Sequence, residues 1–393
     1  MAETTMGSLG IMTGHHHGNP PIAEPDFYSQ LCRVAPRYNL SVLVFHPDGV
    51  AADGKSITGY TWNDDGWQST ISSPPDIVYN RCFYANRKEK NEASIALFAL
   101  PQSLPWSRGL PDKWGVYEIL KRDRRAVKLL PETQLYTGIR KLDTMLAERD
   151  DGVFLKPKAG SHGKRTLHAV LQNRNAGGGI RIRGRDGANN PFQFVFDVKN
   201  EGLHWIHNFI GSRRYIIQPY LHLTSSKGQP FDVRVLMQKN GRGTWTLTGM
   251  AVRMGTPGAL TSNLHGGGTA VPPLPFLLKE YGPDGKEILE ELAAEAALLP
   301  PLLEAACGRL GELGLDFGID SSGRIHLLEA NSKPGRTVFR LTGDRRAAKL
   351  AAENPLSYAR HLLLTLRADT IPVYGQIRYK RKNDITMVPK EDS

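Results

Sequence analysis

Short apolar runs separated by polar and glycine-containing segments divide the first part of the chain. Leu9–Met12 and Ser41–Phe45 are apolar runs of strand length, and Asp76–Tyr79 and Ile95–Phe98 look similar. Between the first two runs, Ala23 to about Tyr38 has the spacing of a helix. Strands that alternate with helices predict a small, mostly parallel sheet, so this part is predicted to be an α/β domain.

A stretch rich in proline and glycine, Pro105–Pro111, marks a predicted boundary. After it, Asp112 can cap a helix over Lys113–Lys128, and a second helix is predicted over Gln134–Arg149. The pattern then becomes rich in strands, which we predict over residues 153–158, 166–172, 215–221, 231–238 and 244–253.

The last third of the chain is predicted to begin with a long helix, rich in leucine and alanine, over Lys286–Leu313. Pro300-Pro301 is expected to interrupt that helix. A hairpin over residues 314–331 and a helix over residues 355–367 follow. Residues 369–393 are polar and basic and are predicted to form a tail.

The predicted hairpin carries the strongest chemical pattern in the chain. Its first strand alternates apolar and polar positions, which gives it one polar face that includes Asp316. If Ser322-Gly323 forms a tight turn, Asp316 lies directly opposite Glu329. Asn331 is two residues beyond Glu329 and therefore points to the same face. Two carboxylates and an amide oxygen are thus expected to lie together.

Two carboxylates that face each other across a hairpin normally repel. A cation would remove this conflict, and carboxylate and amide oxygens are ligands suited to Mg²⁺. We therefore predict a magnesium site formed by Asp316, Glu329 and Asn331. The alternative is an ordinary hairpin whose polar face contacts solvent.

A lysine- and glycine-rich segment, Val153–Arg165, follows the second predicted helix. A strand delivers Lys156, and a loop with Gly160 and Gly163 can bring backbone N–H groups close to phosphate oxygens. It is not a Walker A loop, because the spacing differs and a strand follows it. Taken alone, such a segment is more often a surface hairpin.

Two further segments carry candidate ligand-binding groups. The apolar strand that ends at Gln218 could offer backbone groups to an adenine edge, and Asp232 and Arg234 share one face of the next strand. Near a nucleotide, Arg234 would offset charge on the transferring phosphoryl group, although such an acid–arginine pair is often structural. Arg253 is followed by the glycine-rich segment Thr261–Gly268, which is typical either of a loop near a ligand or of a flexible turn.

Composition and charge narrow the class of protein. Apolar residues make up 40% and charged residues 23% of 393 residues, which is ordinary for a globular protein, and no apolar stretch is long enough to span a membrane. The formal charge of +11 favours polyanions such as nucleotides or nucleic acid. The basic residues lack the regular aromatic interleaving of a single-strand binder, so nucleic acid is not the expected partner and remains an alternative.

Cysteine and histidine usage points to a reducing compartment without a structural metal. The three cysteines, Cys32, Cys82 and Cys307, are far apart and fit free thiols in the cytoplasm, and Met1–Thr13 lacks the pattern of a secretory signal. His15-His16-His17 could bind a metal, but we favour a solvated loop because no further Cys or His cluster completes a ligand shell.

Six motifs in sequence order give the chain a resemblance to the ATP-grasp superfamily. Across nearly the whole chain it looks most like the YheC/YheD endospore coat-associated branch. Each motif is weak alone, but six in the same order are specific. The motifs are Asp112-Lys113, Phe154-Leu-Lys-Pro157 with Gly160-Ser161, Pro230-Phe-Asp-Val-Arg234, Thr261-Ser-Asn-Leu-His-Gly-Gly-Gly268, Leu315-Asp-Phe-Gly-Ile-Asp320 and Leu328-Glu-Ala-Asn-Ser-Lys-Pro-Gly335.

The resemblance implies an α+β protein with the ATP-grasp fold, in which two α+β lobes clamp ATP. A small α/β pre-ATP-grasp domain, residues 1–110, would precede it. The ATP-grasp domain would cover residues 111–368, with lobes of about 111–214 and 215–368.

The resemblance also implies which residues contact the nucleotide. It assigns phosphate contacts to Lys113 and Lys156, and it places Ser161 and Gly163 in the mobile loop that covers the phosphates. Asp232 falls where a ribose-binding acid often occurs. The adenine-binding hinge is implied for Gln218, Pro219, Tyr220 and Leu221.

At the reacting end, the resemblance places Arg234, Arg253 and Asn263 near the γ-phosphate and the acyl-phosphate, which makes them the catalytic candidates. It assigns the magnesium to the same three hairpin residues. The implied activity is a C–N bond-forming ligase that uses ATP and Mg²⁺ to activate a small-molecule or peptide carboxylate for attack by an amine or similar nucleophile. No general base stands out. The alternative is a cytoplasmic, spore-associated protein that binds ATP without turnover and takes part in coat assembly.

Overall fold

A computed structural model of the chain describes residues 5–84, 86–160, 163–172, 178–262 and 267–370. In these ranges the strands form three sheets, which we call the N-terminal, middle and C-terminal sheets. Within the same ranges, no helix has both the length and the apolar character needed to cross a bilayer. The mixture of helices with several sheets agrees with the predicted α+β class.

The N-terminal sheet is mostly parallel, as the sequence predicts. Strand β1 pairs in parallel with β2 and β5, and β3 and β4 add an antiparallel hairpin at one edge. The strand order is β4-β3-β2-β1-β5-β6. The strands and helices of this part are β1 (Gly7–Met12), α1 (Pro25–Val34), β2 (Leu40–Val50), β3 (Ile57–Asn63), β4 (Gly66–Ser72), β5 (Ile77–Asn80), α2 (Arg87–Phe98) and β6 (Leu104–Pro105).

One predicted strand of this part is wrong. Ile95–Phe98 is the last turn of α2, not a strand. The Asn86 side chain caps this helix by accepting the backbone N–H of Glu89 at 3.0 Å, and only Ala93 and Ala96 are buried. A four-residue apolar run has no periodicity of its own, so sequence alone does not separate a strand from the end of a helix.

The middle sheet is antiparallel throughout, with strand order β11-β10-β9-β8-β12-β7. Helices α4 and α5 cover one face, where residues such as Leu155, Leu142 and Ile206 form a buried core. The elements are α3 (Lys113–Leu120), β7 (Gln134–Leu135), α4 (Ile139–Ala147), β8 (Val153–Pro157), β9 (Leu167–Leu171), β10 (Ile180–Arg185), β11 (Pro191–Phe196), α5 (Lys199–Ile210) and β12 (Tyr215–Pro219).

The two helices predicted before this sheet are shorter than expected. Helix α3 ends at Leu120 because the Asp123 side chain accepts the N–H groups of Arg125 and Ala126, at 2.8 and 3.0 Å, and starts a separate turn. Gln134–Leu135 belongs to the sheet, where it pairs with Ile216 and Ile217. Strands β10 and β11 were not predicted.

The C-terminal sheet has the order β15-β14-β13-β16-β17 and is also antiparallel. Every residue of β16 is buried, because its apolar face packs in the core that includes α7 and the strand lies between β13 and β17. The elements are β13 (Phe231–Lys239), β14 (Trp245–Met254), β15 (Thr269–Val271), α6 (Pro273–Tyr281), α7 (Gly285–Cys307), β16 (Glu312–Ile319), β17 (Ile325–Asn331), α8 (Thr337–Leu341) and α9 (Arg345–Thr370).

Two helices of this part differ from their predictions. Helix α7 continues through Pro300-Pro301, which were expected to interrupt it. Leu299 and Leu303 flank the prolines and are fully buried, so packing holds the helix where backbone hydrogen bonds are missing. The predicted helix over residues 355–367 starts ten residues earlier, as α9, and residues 371–393 of the predicted tail lie outside the described part of the chain.

Helix α9 connects the first and last sheets. Its residues Leu356 and Ala359 pack in the core of the N-terminal sheet with Leu9 and Tyr28, and its first turns pack on β13 and β14. The N-terminal sheet therefore has part of its core supplied by the end of the chain. The domain boundaries at residues 110 and 368 stay a prediction.

A buried chain of charges also joins the N-terminal and C-terminal sheets. Arg81 is 0% exposed and lies between the carboxylates of Glu24 (2.6 Å) and Glu312 (3.0 Å). Glu312 is itself 0% exposed and also accepts hydrogen bonds from Arg336 and Tyr79. Each buried charge has an opposite partner, which is the condition for burying ions at acceptable cost.

We expect Glu312→Gln to lower the free energy of unfolding by about 3–5 kcal/mol, because it leaves Arg81 and Arg336 buried without their shared carboxylate. Urea denaturation measures this loss. Glu92→Gln is the matched control, because Glu92 is 52% exposed and its ion pair with Lys88 spans one helical turn. The control should change stability by less than about 1 kcal/mol. Equal stabilities of the two variants would contradict the proposed role of the buried chain.

Candidate functional site

A cavity of about 870 Å³ lies between the middle and C-terminal sheets. This volume is in the range of sites for small molecules and cofactors. Every predicted site residue that the structure describes lines the cavity, whereas Ser161 and Asn263 lie outside the described residues. The lining residues among them are Lys113, Lys156, Gly163, Gln218, Pro219, Tyr220, Leu221, Asp232, Arg234, Arg253, Asp316, Glu329 and Asn331.

The predicted pairing in the hairpin β16–β17 is confirmed. Asp316 pairs with Glu329, and Gly314 pairs with Asn331, so the three predicted ligands share one face. The predicted turn is wrong, however. The loop has three residues, Ser321–Gly323, closed by a hydrogen bond from Asp320 N–H to Arg324 O at 3.1 Å, and Gly323 has a positive φ of 84°.

A β-bulge in β17 explains how a different turn gives the same pairing. Phe317 pairs with Leu327 and Asp316 with Glu329, which leaves Leu328 as the extra residue. The Leu328 carbonyl accepts a hydrogen bond from Lys156 Nζ at 3.0 Å. The bulge therefore both restores the register of the acidic residues and anchors a lysine from the middle sheet.

Lys156 lies in the floor of the cavity and is 9% exposed. Burial lowers the pKa of its ammonium to about 8, although the carboxylate of Glu329 opposes the shift. Lys113, the first residue of α3, lies nearby: its Nζ is 3.2 Å from Glu329 Oε1 and donates to Gly160 O at 2.6 Å. Asp112 caps α3 as predicted, accepting the Gly115 N–H at 3.0 Å.

Two arginines from adjacent strands pair with the acidic residues on the same face. Arg234 forms a two-point ion pair with Asp316, and Arg253 forms one with Asp232 at 2.6 and 2.7 Å. Arg253 Nη2 also lies 3.0 Å from Asp316, and Ser262 donates to Asp232. Burial would raise the pKa of Asp316, but the two guanidinium groups outweigh it and hold the pKa below its usual value.

These contacts offer another way for the two carboxylates of the hairpin to lie together. The repulsion between Asp316 and Glu329 was expected to require a bound cation, but Arg234, Arg253 and Lys113 already offset it. The contacts also show that the carboxylate of Asp232, predicted to bind ribose, holds Arg253 in place.

The donor set of the hairpin nevertheless fits a magnesium ion. Asp316, Glu329 and Asn331 offer two carboxylates and an amide oxygen on one face of the cavity, and Mg²⁺ prefers such oxygen ligands together with phosphate oxygens. No group of three or more His, Cys, Asp or Glu side chains able to hold a metal occurs in the described ranges, the His15–His17 loop included.

The predicted hinge, Gln218–Leu221, begins with the last two residues of β12. The Gln218 side chain donates to Thr133 Oγ1 at 2.7 Å. The Tyr220 N–H donates to Gly152 O at 3.2 Å, and the chain then leaves the sheet. The Leu221 N–H has no hydrogen-bond partner among the described residues, and Leu221 lines the cavity.

Some residues of the site were not found by sequence reasoning. Ser262 holds Asp232, and Arg183 and His168 contact Tyr220 from β10 and β9. The strict alternation Ile-Arg-Ile-Arg over residues 180–183 is a strand signal with one basic face, and it could have revealed Arg183. No sequence signal marks the bulge at Leu328.

Comparison with known proteins identifies the family. Residues 105–362 match the family described as "YheC/D like ATP-grasp". The chain belongs to this family. It is 28% identical over 348 residues to the endospore coat-associated protein YheC of Bacillus subtilis (strain 168), which covers 87% of this chain and 92% of YheC. It is 27% identical over 346 residues to YheD of the same organism, covering 86% of this chain and 74% of YheD.

The fold agrees with this family assignment. The crystal structure of D-cycloserine synthetase DcsG aligns with a TM-score of 0.54 at 12% identity, over 92% of this chain and all of that chain. The predicted ATP-grasp fold is therefore confirmed.

We expect Lys156→Met to raise the free energy of unfolding at pH 7 by roughly 1–3 kcal/mol, because burial of the ammonium opposes folding. The pKa of about 8 in the folded protein lies below the ordinary lysine pKa of 10.5. The penalty is therefore complete below pH 8 and disappears as the pH rises toward 10.5. Urea denaturation at pH 7 and pH 10 measures the difference between variant and wild type.

Lys286→Met is the control for this experiment, because Lys286 lies on α7 and is 73% exposed. It should leave stability unchanged at both pH values. A gain from Lys156→Met that is equally large at pH 7 and pH 10 would contradict the buried-ammonium explanation.

Proposed function

We propose that the protein is an ATP- and magnesium-dependent ligase that activates a carboxylate as an acyl-phosphate for attack by an amine or similar nucleophile. The observation that carries this proposal is the meeting of Lys113, Lys156, Arg234 and Arg253 with the Asp316–Glu329 edge in one cavity. Cations from both sheets, together with the oxygen ligands of the hairpin, suit a triphosphate bound with a divalent ion.

The arginines have donors available for a ligand. Arg234 and Arg253 each use Nε and Nη2 for carboxylates, and the Nη1 group of each has no hydrogen-bond partner among the described residues. Both side chains are about 90% buried, so these groups act in a site with little water. We assign them to the γ-phosphate and to the acyl-phosphate formed from it.

The lysines support the phosphates from the opposite side. We assign Lys156, whose pKa burial lowers to about 8, and Lys113, at the start of α3, to phosphate oxygens. Asp316, Glu329 and Asn331 would hold the magnesium, which would offset the negative charge of the phosphates. Ser161 and Gly163 are assigned to the loop over the phosphates, and Asn263 to the reacting end.

Catalysis in this proposal comes from positioning and electrostatics. The substrate carboxylate attacks the γ-phosphorus, ADP leaves, and the nucleophile then displaces phosphate from the acyl-phosphate. Arg234 is fixed by Asp316, and Arg253 by Asp232 and Ser262, so their remaining donors are already oriented. We assign no general base.

A second candidate is an ATP-binding protein of coat assembly that does not turn ATP over. The relatives YheC and YheD are described as endospore coat-associated proteins, which favours this candidate and suggests a spore-associated location for this chain. Retention of both carboxylates, the asparagine and both arginines in one cavity argues for turnover. A site that only holds nucleotide has no need for the reacting-end arginines.

A screen for ADP release over a panel of carboxylates and amines tests the proposal, and the mass of the product names the bond formed. Wild-type protein should release ADP only with Mg²⁺ and a matching pair of substrates. Binding of ATP without ADP release across the panel would favour the coat-assembly candidate. Absence of ATP binding would remove both candidates.

We expect Glu329→Ala to lower magnesium-dependent ADP release by more than about 100-fold, because it removes a proposed metal ligand. Titration of the rate against Mg²⁺ should also shift to higher concentrations. Glu287→Ala, on the exposed side of α7, is the control and should behave as wild type. Unchanged turnover in Glu329→Ala would contradict the assignment of Glu329 as a magnesium ligand.

A further inference from the structure

Two side chains, Arg183 and His168, contact Tyr220 of the proposed hinge. Arg183 Nη2 donates to the Tyr220 hydroxyl at 2.7 Å. The Tyr220 ring stacks on His168, with ring centroids 3.8 Å apart and planes 21° apart. Tyr220 lines the cavity, and its neighbours Pro219 and Leu221 belong to the proposed hinge.

The two residues that contact Tyr220 belong to one row of paired residues across the middle sheet. Arg183 pairs with His168, His168 with Phe154, and Phe154 with Gln218. Directly paired residues of antiparallel strands point to the same face. Phe154 and Gln218 line the cavity, so Arg183 and His168 extend this ligand-facing surface outward and meet Tyr220 there.

At His168, one ring nitrogen donates a hydrogen bond and the other accepts one. His168 Nε2 donates to the Asp151 carbonyl at 2.7 Å, and its Nδ1 accepts from Arg183 Nε at 3.2 Å. Burial, together with the neighbouring arginines, lowers the pKa of His168 to about 4, although the hydrogen bond to the Asp151 carbonyl opposes the shift. His168 is thus neutral at physiological pH, which keeps its ring in one tautomer and its stacking with Tyr220 uncharged.

Arginine is suited to this position in a way that lysine is not. Its planar guanidinium makes two directed bonds, from Nη2 to Tyr220 and from Nε to His168, and so fixes the angle between the two rings. A lysine ammonium at the same place is a point charge on a flexible stem. The geometry therefore points to orientation of Tyr220 as the purpose of Arg183.

We propose that Arg183 and His168 are positioning residues for the nucleotide base. They fix Tyr220 and, through it, the backbone of Pro219 to Leu221, which presents hydrogen-bonding groups to the edge of adenine. This inference rests on the proposed function, because it requires that ATP binds with its base at the hinge. It predicts a defect in base recognition that leaves triphosphate recognition intact.

The test compares binding of Mg-ATP with binding of magnesium tripolyphosphate, which has the phosphates without the base, by calorimetry on the full chain. Arg183→Met should weaken ATP binding by about tenfold, the size expected for losing a hydrogen bond from a charged group. Its affinity for tripolyphosphate should stay within about twofold of wild type. If Arg183→Lys restores ATP binding only in part, the result would support a role for both hydrogen bonds of the guanidinium.

Arg181→Met is the matched control, because Arg181 lies on the same face of the same strand but is exposed. It removes the same charge and should leave both affinities within about twofold of wild type. An equal loss of ATP and tripolyphosphate in Arg183→Met would overturn the proposal, since it would show a general electrostatic effect. An unchanged ATP affinity in that variant would overturn it as well.

Tyr220→Phe keeps the ring stacking, removes only the hydroxyl, and serves if Arg183→Met does not fold. It should weaken ATP by about threefold and leave tripolyphosphate unchanged; no effect on ATP would count against the proposal. Failure of the ATP site itself looks different, because wild-type protein would then bind no ATP, and failure of ligase activity alone is read from the ADP-release screen, not from this binding test. If wild-type protein binds ATP and neither variant changes the ATP affinity, only the positioning role is contradicted.

Discussion

Buried charges of both signs lie side by side on the ligand-facing surface of β13, β14 and β16, and the architecture of the cavity depends on their pairing. Asp232, Arg234, Arg253 and Asp316 form a set of two acids and two bases, each less than 10% exposed. An unpaired charge at this depth would cost several kcal/mol. Because the set is balanced, the wall of the cavity can be rigid before any ligand arrives.

This balance also determines what the cavity can recognise. Each arginine is held at two points, so its free N–H groups keep one direction without losing side-chain entropy on binding. The middle sheet contributes Lys156, anchored on the carbonyl that the β17 bulge releases from the ladder. Rigid donors from two sheets that converge on one volume are what recognition of a polyphosphate requires.

Most of the fold and much of the site could be predicted from the sequence. The polar face that carries Asp316 followed from alternation along the strand, and its pairing with Glu329 was predicted from a turn at Ser322-Gly323. That turn is wrong, but the pairing is correct because the bulge at Leu328 compensates for the different loop. Contacts between distant segments could not be predicted, since nothing local records them. The bidentate pairing of Arg253 with Asp232 and the hydrogen bond from Arg183 to Tyr220 are of this kind.

The position of α9 has a consequence for how the chain acquires its structure during synthesis. Trp106, beside the N-terminal sheet, donates to the carbonyl of Pro355, and the buried residues Leu356 and Leu363 complete the apolar layer under β1. Gly7 leaves room for Leu363, since a Cβ there would lie 2.6 Å from its side chain. During synthesis, these residues of α9 leave the ribosome more than two hundred residues after β1. The first strands to appear are therefore among the last to be fully covered.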